Sequence, residues 1–124
     1  MTLHPDRWFI INMTLDDKTT QHVFSGSYGG YTGTDSWRMS TAIATIVRED
    51  KVYKIETVSG TSYECHIGAY GASGYMLNVY QYYLDDNKDK LKVDPVYADA
   101  FREYMRTQRH DKNAVINTEL DQYL

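Results

Sequence analysis

The apolar run Trp8 to Leu15, WFIINMTL, is too short for a helix of ordinary length and rich in β-branched and aromatic side chains, so it predicts a strand. Asp16-Asp17-Lys18 reads as its turn, and Thr20 to Phe24 as the strand that closes the hairpin. Residues 25–36, SGSYGGYTGTDS, carry four glycines among serine, threonine and aspartate, which predicts a loop that leaves Tyr28 and Tyr31 on it. Strand character resumes at Trp37. WRMSTAIATIV, the alternating VYKIETV and SYECHI, separated by Arg48-Glu49-Asp50-Lys51 and Ser59-Gly60-Thr61, predict a three-stranded antiparallel meander.

The period changes after GAYGASG. Tyr75, Met76, Val79, Tyr80 and Tyr83 fall at helical spacing with Ser73 as N-cap, which predicts a helix over Gly74 to Leu84. Asp85 to Lys92 reads as a charged connector. Asp94-Pro95 then opens a second helix, aspartate as N-cap and proline at the first helical position, with an apolar stripe of Tyr97, Ala100, Phe101, Tyr104 and Met105. The pattern therefore predicts an α+β fold: an antiparallel sheet of about five strands, made of the hairpin and the meander, followed by two helices. One domain, 1–124, is expected, β-rich over 7–67 and helical over 73–110, with a C-terminal tail over 111–124 readable as strand, short helix or partner-clasping arm.

Composition adds an oddity and several exclusions. There are 12 tyrosines against 3 phenylalanines, and tyrosine can pack its ring while its hydroxyl stays wet. That suits an interface or ligand pocket, and equally a β-rich fold with many half-exposed positions. A formal net charge of −4 argues against a general DNA binder. The single cysteine, Cys65, excludes an intrachain disulfide framework. No leader-like pattern or membrane-length apolar run is read, so a cytoplasmic protein is expected.

Against the acidic balance, Arg102, Arg106 and Arg109 stand at i, i+4 and i+7 of the second helix. Guanidinium forks hold phosphates bidentately, so the stripe is a candidate clamp for a pyrophosphate-bearing ligand. The commoner meaning of such a stripe is a salt-bridged surface face, here with Asp99 and Glu103 three residues ahead of Arg102 and Arg106. Tyr75, Tyr80, Tyr82 and Tyr83 on the first helix, with Trp37 by the glycine loop, are candidate stacking rings, and Asn78, three residues from Tyr75, could read a base or ribose edge. Catalytic patterns are weak. Cys65 and His66 are strand neighbours facing opposite ways, the four histidines lack zinc-site spacing, and the glycine loop lacks the terminal Gly-Lys-Ser/Thr of a P-loop. No metal or cofactor is expected.

The meander SWRMSTAIATIV...VYKIETVSGTSYECHIGAYG, the helix GYMLNVYQYYL and the arginines of FREYMRTQR together resemble, over roughly Ser36 to Arg109, the phage Thoeris anti-defence family. Those proteins are sponges that sequester cyclic ADP-ribose immune signals without cleaving them. The resemblance implies a homo-oligomer, a dimer or higher, in the cytoplasm of an infected bacterium. It implies ligand contacts by Arg102, Arg106 and Tyr75, with Arg109, Asn78 and Trp37 as further candidates. It implies too, for some members, a separate site for cyclic di- or trinucleotides, which does not map onto this chain residue by residue; Arg38 and His22 are singled out for it only by their place near the glycine loop. The alternative is an inhibitor that binds a host immune protein through an acidic, tyrosine-rich surface.

Overall fold

A computed structural model of the chain describes residues 2–28, 36–87, 89–107, 120 and 123. In chain order the elements are β1 (Thr2–Leu3), β2 (Arg7–Leu15), β3 (Lys18–Ser27), β4 (Ser36–Met39), β5 (Ile43–Glu49), β6 (Val52–Thr57), β7 (Ser62–His66), a 3-10 turn (Ile67–Ala69), α1 (Gly74–Asn87), β8 (Leu91–Val93) and α2 (Pro95–Thr107). The fold is α+β. Its strands form two four-stranded sheets, ordered β1-β7-β6-β5 and β4-β3-β2-β8, instead of one sheet of about five.

The hairpin forms where the apolar run predicts it. Leu15 faces Lys18 across the two-residue turn Asp16-Asp17, and both aspartates take positive φ, 50° and 66°, as the tightest hairpin turn requires. The run WRMSTAIATIV does not stay one strand. Its first part, β4, pairs with β3, and the chain then crosses to the other sheet as β5. Ser40 makes the break: its hydroxyl accepts from the Val23 N–H at 2.8 Å and donates to the Thr41 carbonyl, so a side chain replaces a ladder partner. Of the expected connector Asp85 to Lys92, the first three residues continue α1, and its end joins Val93 in a strand: Leu91 and Val93 are buried around outward Lys92 and add β8 alongside β2.

Strand β2 is buried on both faces. Phe9 stacks on Phe24 at 5.1 Å and meets Tyr80 of α1, so α1 covers that face. Trp8 points the other way, toward Tyr53 of β6 in the other sheet at 5.5 Å and Tyr97 of α2 at 6.0 Å. Both helix starts are built as their sequences predict. Ser73 Oγ accepts from the Met76 N–H at 3.2 Å, and Asp94 Oδ1 accepts from Val96 N–H at 2.9 Å. Asp94 Oδ2 also accepts from Gln21 at 2.8 Å, which ties the cap of α2 to β3. Replacing Ser73 with alanine should cost about 1 kcal/mol in urea unfolding, the ordinary value of a lost N-cap. From the tail, Leu120 is buried and Tyr123 meets Tyr80 edge-on while its hydroxyl donates to Gln81, so the chain returns to α1.

Burial of Tyr80 and Tyr97 pushes both pKa values up to about 12. In the unfolded chain a tyrosine titrates near ~10, so above that pH the unfolded state loses these protons first. Stability is whole below pH ~10 and is lost as the pH rises through about 12. The urea midpoint should fall across that window, and Tyr80→Phe should shrink the fall; a flat profile to pH ~12 would contradict it.

Candidate functional site

One stripe of α1 and one residue of β4 enclose an open groove. Tyr75, Asn78, Val79, Tyr82 and Tyr83 recur at three- and four-residue steps, so they share one helix face, and Trp37 closes the opposite wall. The groove has a volume of about 470 Å³. Trp37 is held in place from two sides. Phe24 stacks on it at 5.6 Å with 9° between planes, and Tyr83 meets it edge-on at 5.7 Å. By contrast Tyr82 is 74% exposed and Tyr75 42%, each a large ring left on the surface beside a fixed one. The register explains Trp37's position: it faces Gly26 across β3, on the same face as Phe24, and glycine leaves room for Met76 of α1 to press close.

Of the residues singled out by sequence, Trp37, Tyr75 and Asn78 come together here, with Tyr82. Tyr83, a candidate stacking ring by sequence, and Val79, which shares its helical stripe, complete the wall. Arg102 and Arg106 do not line this groove. Each donates to a carboxylate three residues back, Arg102 to Asp99 and Arg106 to Glu103, both at 2.9 Å, on a helix face whose side chains are 39% and 72% exposed at the two arginines. The salt-bridged face is thus the arrangement present. Arg109, Tyr31 and residues 111–119 of the tail lie outside the described residues.

A second cavity, of about 400 Å³, is lined by residues 3–5, 25–27 and 36–38, so it shares Trp37 with the groove and contains Arg38. His22, the other candidate near the glycine loop, has a structural part: Nδ1 is 2.9 Å from the Ser40 carbonyl and Nε2 is 2.8 Å from the Thr20 hydroxyl. It pins the strand crossing. Cys65 is buried and its thiol is pushed far up by burial, while His66 is exposed on the other face and accepts from Gly68 N–H at 2.9 Å. The two do not form a nucleophile and base. Among the described residues no group of three or more His, Cys, Asp or Glu could hold a metal, and no helix is long and apolar enough to cross a membrane.

No family model matches the chain, and no curated protein or solved structure shows significant similarity to it.

Proposed function

We propose that this chain is a binding protein that takes up a nucleotide signal and holds it unreacted, the flat base lying in the groove between Trp37 and the tyrosines of α1. The observation that carries the reading is the convergence of Trp37, Tyr75, Asn78 and Tyr82, from two distant segments, on one open aromatic groove. A fixed indole beside exposed phenol rings offers a stacking platform, worth on the order of 1–3 kcal/mol per base. Asn78 supplies a donor and an acceptor at the rim. The likeness to Thoeris anti-defence sponges makes cyclic ADP-ribose isomers the ligands to test first, with cyclic oligonucleotides next, and an infected bacterium's cytoplasm the place of action.

In this reading Arg102 and Arg106 can still hold phosphate. Their carboxylate partners are exposed i, i+3 pairs worth only ~0.2–0.5 kcal/mol, which a bidentate phosphate outweighs. Because neither lines the groove of its own chain, a homo-oligomer in which another copy supplies them fits best. A sponge that outcompetes a receptor needs nanomolar affinity, roughly −12 kcal/mol.

Calorimetric titration with cyclic ADP-ribose isomers tests the proposal. Binding should be tight, heat denaturation should release the ligand intact, and Trp37→Ala or Tyr75→Ala should weaken binding by roughly 5- to 150-fold, the equivalent of one lost stack. No heat at micromolar ligand would sink it. The 74% exposure of Tyr82 favours one rival, a host immune protein docked on this tyrosine-rich surface. Under that reading Tyr82→Ala abolishes capture of the host protein and no nucleotide is retained.

A further inference from the structure

Trp37 is a wall of two cavities with opposite character. On one side lies the aromatic groove; on the other, residues 3–5, 25–27 and 36–38 enclose polar space lined by Arg38, His4 and three serines, with no acidic side chain among the described lining residues. Two described acids close to the cavity have other partners than Arg38: Glu64 sits 3.5 Å from Nδ1 of the lining residue His4, and Asp6 Oδ2 accepts from the Tyr28 N–H at 2.8 Å. Among the described residues no carboxylate pairs with the Arg38 guanidinium, in contrast to Arg102 and Arg106, each of which has one at 2.9 Å. Ser25 spends its hydroxyl proton on the Arg38 carbonyl at 3.3 Å, whereas Ser27 and Ser36 are exposed at the cavity. A guanidinium fork with no carboxylate partner among the described residues, beside two hydroxyls, can receive phosphate oxygens.

The geometry points to Arg38, with Ser27 and Ser36, as the group that receives the charged part of the ligand whose flat ring lies on Trp37. This rests on the groove reading above and names the chemistry of its other half. The sheet order leaves β4 at a margin, with β3 as its neighbour. Consecutive strand residues point to opposite faces, so Trp37 and Arg38 address the two sides of that margin. A bound molecule must turn over one strand to touch both. A base joined through ribose to a pyrophosphate has that reach and a bare nucleoside does not, which selects a nucleoside diphosphate or its cyclic relative as the ligand class. Arg102 and Arg106 line neither cavity of their own chain, so Arg38 is the guanidinium that the chain itself sets beside Trp37.

The full chain is titrated with adenosine, ADP and cyclic ADP-ribose at two salt concentrations, following tryptophan emission. Trp8 is fully buried, so quenching reports Trp37, and Trp37→Phe confirms the source. The phosphate-bearing probes should bind more tightly than adenosine. Arg38→Gln should weaken them roughly tenfold or more, the scale of a lost charge-assisted hydrogen bond, and flatten their salt dependence while leaving adenosine unchanged. Arg38→Lys, which keeps the charge and loses the fork, should recover the salt dependence and only part of the affinity. If Arg38→Gln leaves the phosphate-bearing probes as tight as before, or weakens adenosine equally, the assignment of Arg38 is overturned and the groove reading stands. If no probe quenches Trp37 at millimolar concentration, both fall together.

Discussion

Replacing Trp8 with alanine is expected to lower the unfolding free energy by about 3–5 kcal/mol, the range for deleting a buried aromatic side chain. Trp8 is fully buried and holds three tyrosine rings at once, Tyr53, Tyr70 and Tyr97, at 5.5, 5.3 and 6.0 Å. Those rings come from β6, from the segment before α1 and from α2, so a cavity here loosens the contact between the two sheets and the second helix together. The change also removes a donor. Trp8 Nε1 donates to the His66 carbonyl at 2.8 Å, and that oxygen would lose its partner. Against a total stability of about 5–15 kcal/mol the loss is large, and the melting temperature should fall by roughly 10–20 °C. Trp8→Phe keeps most of the packing and should cost less than half as much. Urea unfolding of the three proteins decides it, and equal stability of Trp8→Ala and wild type would show that the rings close over the gap.

Gly26→Ala should destabilise by about 1–3 kcal/mol, although glycine is by itself a poor strand residue. Shortening the conformational freedom of the unfolded chain favours alanine by only about 0.4–1 kcal/mol. The added Cβ would meet Met76, whose Cγ lies 2.7 Å from where it must sit, with Sδ closer still. Overpacking wins. Met76 is fully buried where α1 crosses β3, so it cannot yield without moving the helix start and, with it, the groove wall. The double variant Gly26→Ala with Met76→Ala should be more stable than the sum of the single effects predicts, and a thermodynamic cycle built from urea unfolding measures the coupling. Additive effects would mean that Met76 simply turns aside.

Much of the fold was legible because it rests on local chemistry. Asp16 and Asp17 belong to the small set of residues that accept a left-handed backbone, so the hairpin turn shows in the sequence. Ser73 and the Asp94-Pro95 pair mark helix starts because the first amides of any helix need acceptors. VYKIET alternates because β6 has one face against the core and one outside. The division of WRMSTAIATIV between two sheets was not legible. A strand pattern says which residues alternate and not which partner they pair with, and Ser40 breaks the ladder only because Val23 presents an N–H to it. β8 escaped for a similar reason. Three residues flanked by charges make too short an alternation to stand out, and β2 supplies the rest through the pairing of Ile11 with Val93.

The candidate site divides along the same line. That α1 carries a face of tyrosines, that Asn78 sits among them, and that Arg102 and Arg106 have carboxylates within one turn are properties of helical spacing, so the sequence alone determined them. That Trp37, nearly forty residues earlier, forms the other wall, and that Arg38 opens on a cavity beside it while the α2 arginines line neither space, only the tertiary structure decided. Periodicity acts within a few residues of the chain; which distant faces meet depends on strand register and on the side chains that hold it, here Phe24 beneath Trp37 and Gly26 beneath Met76.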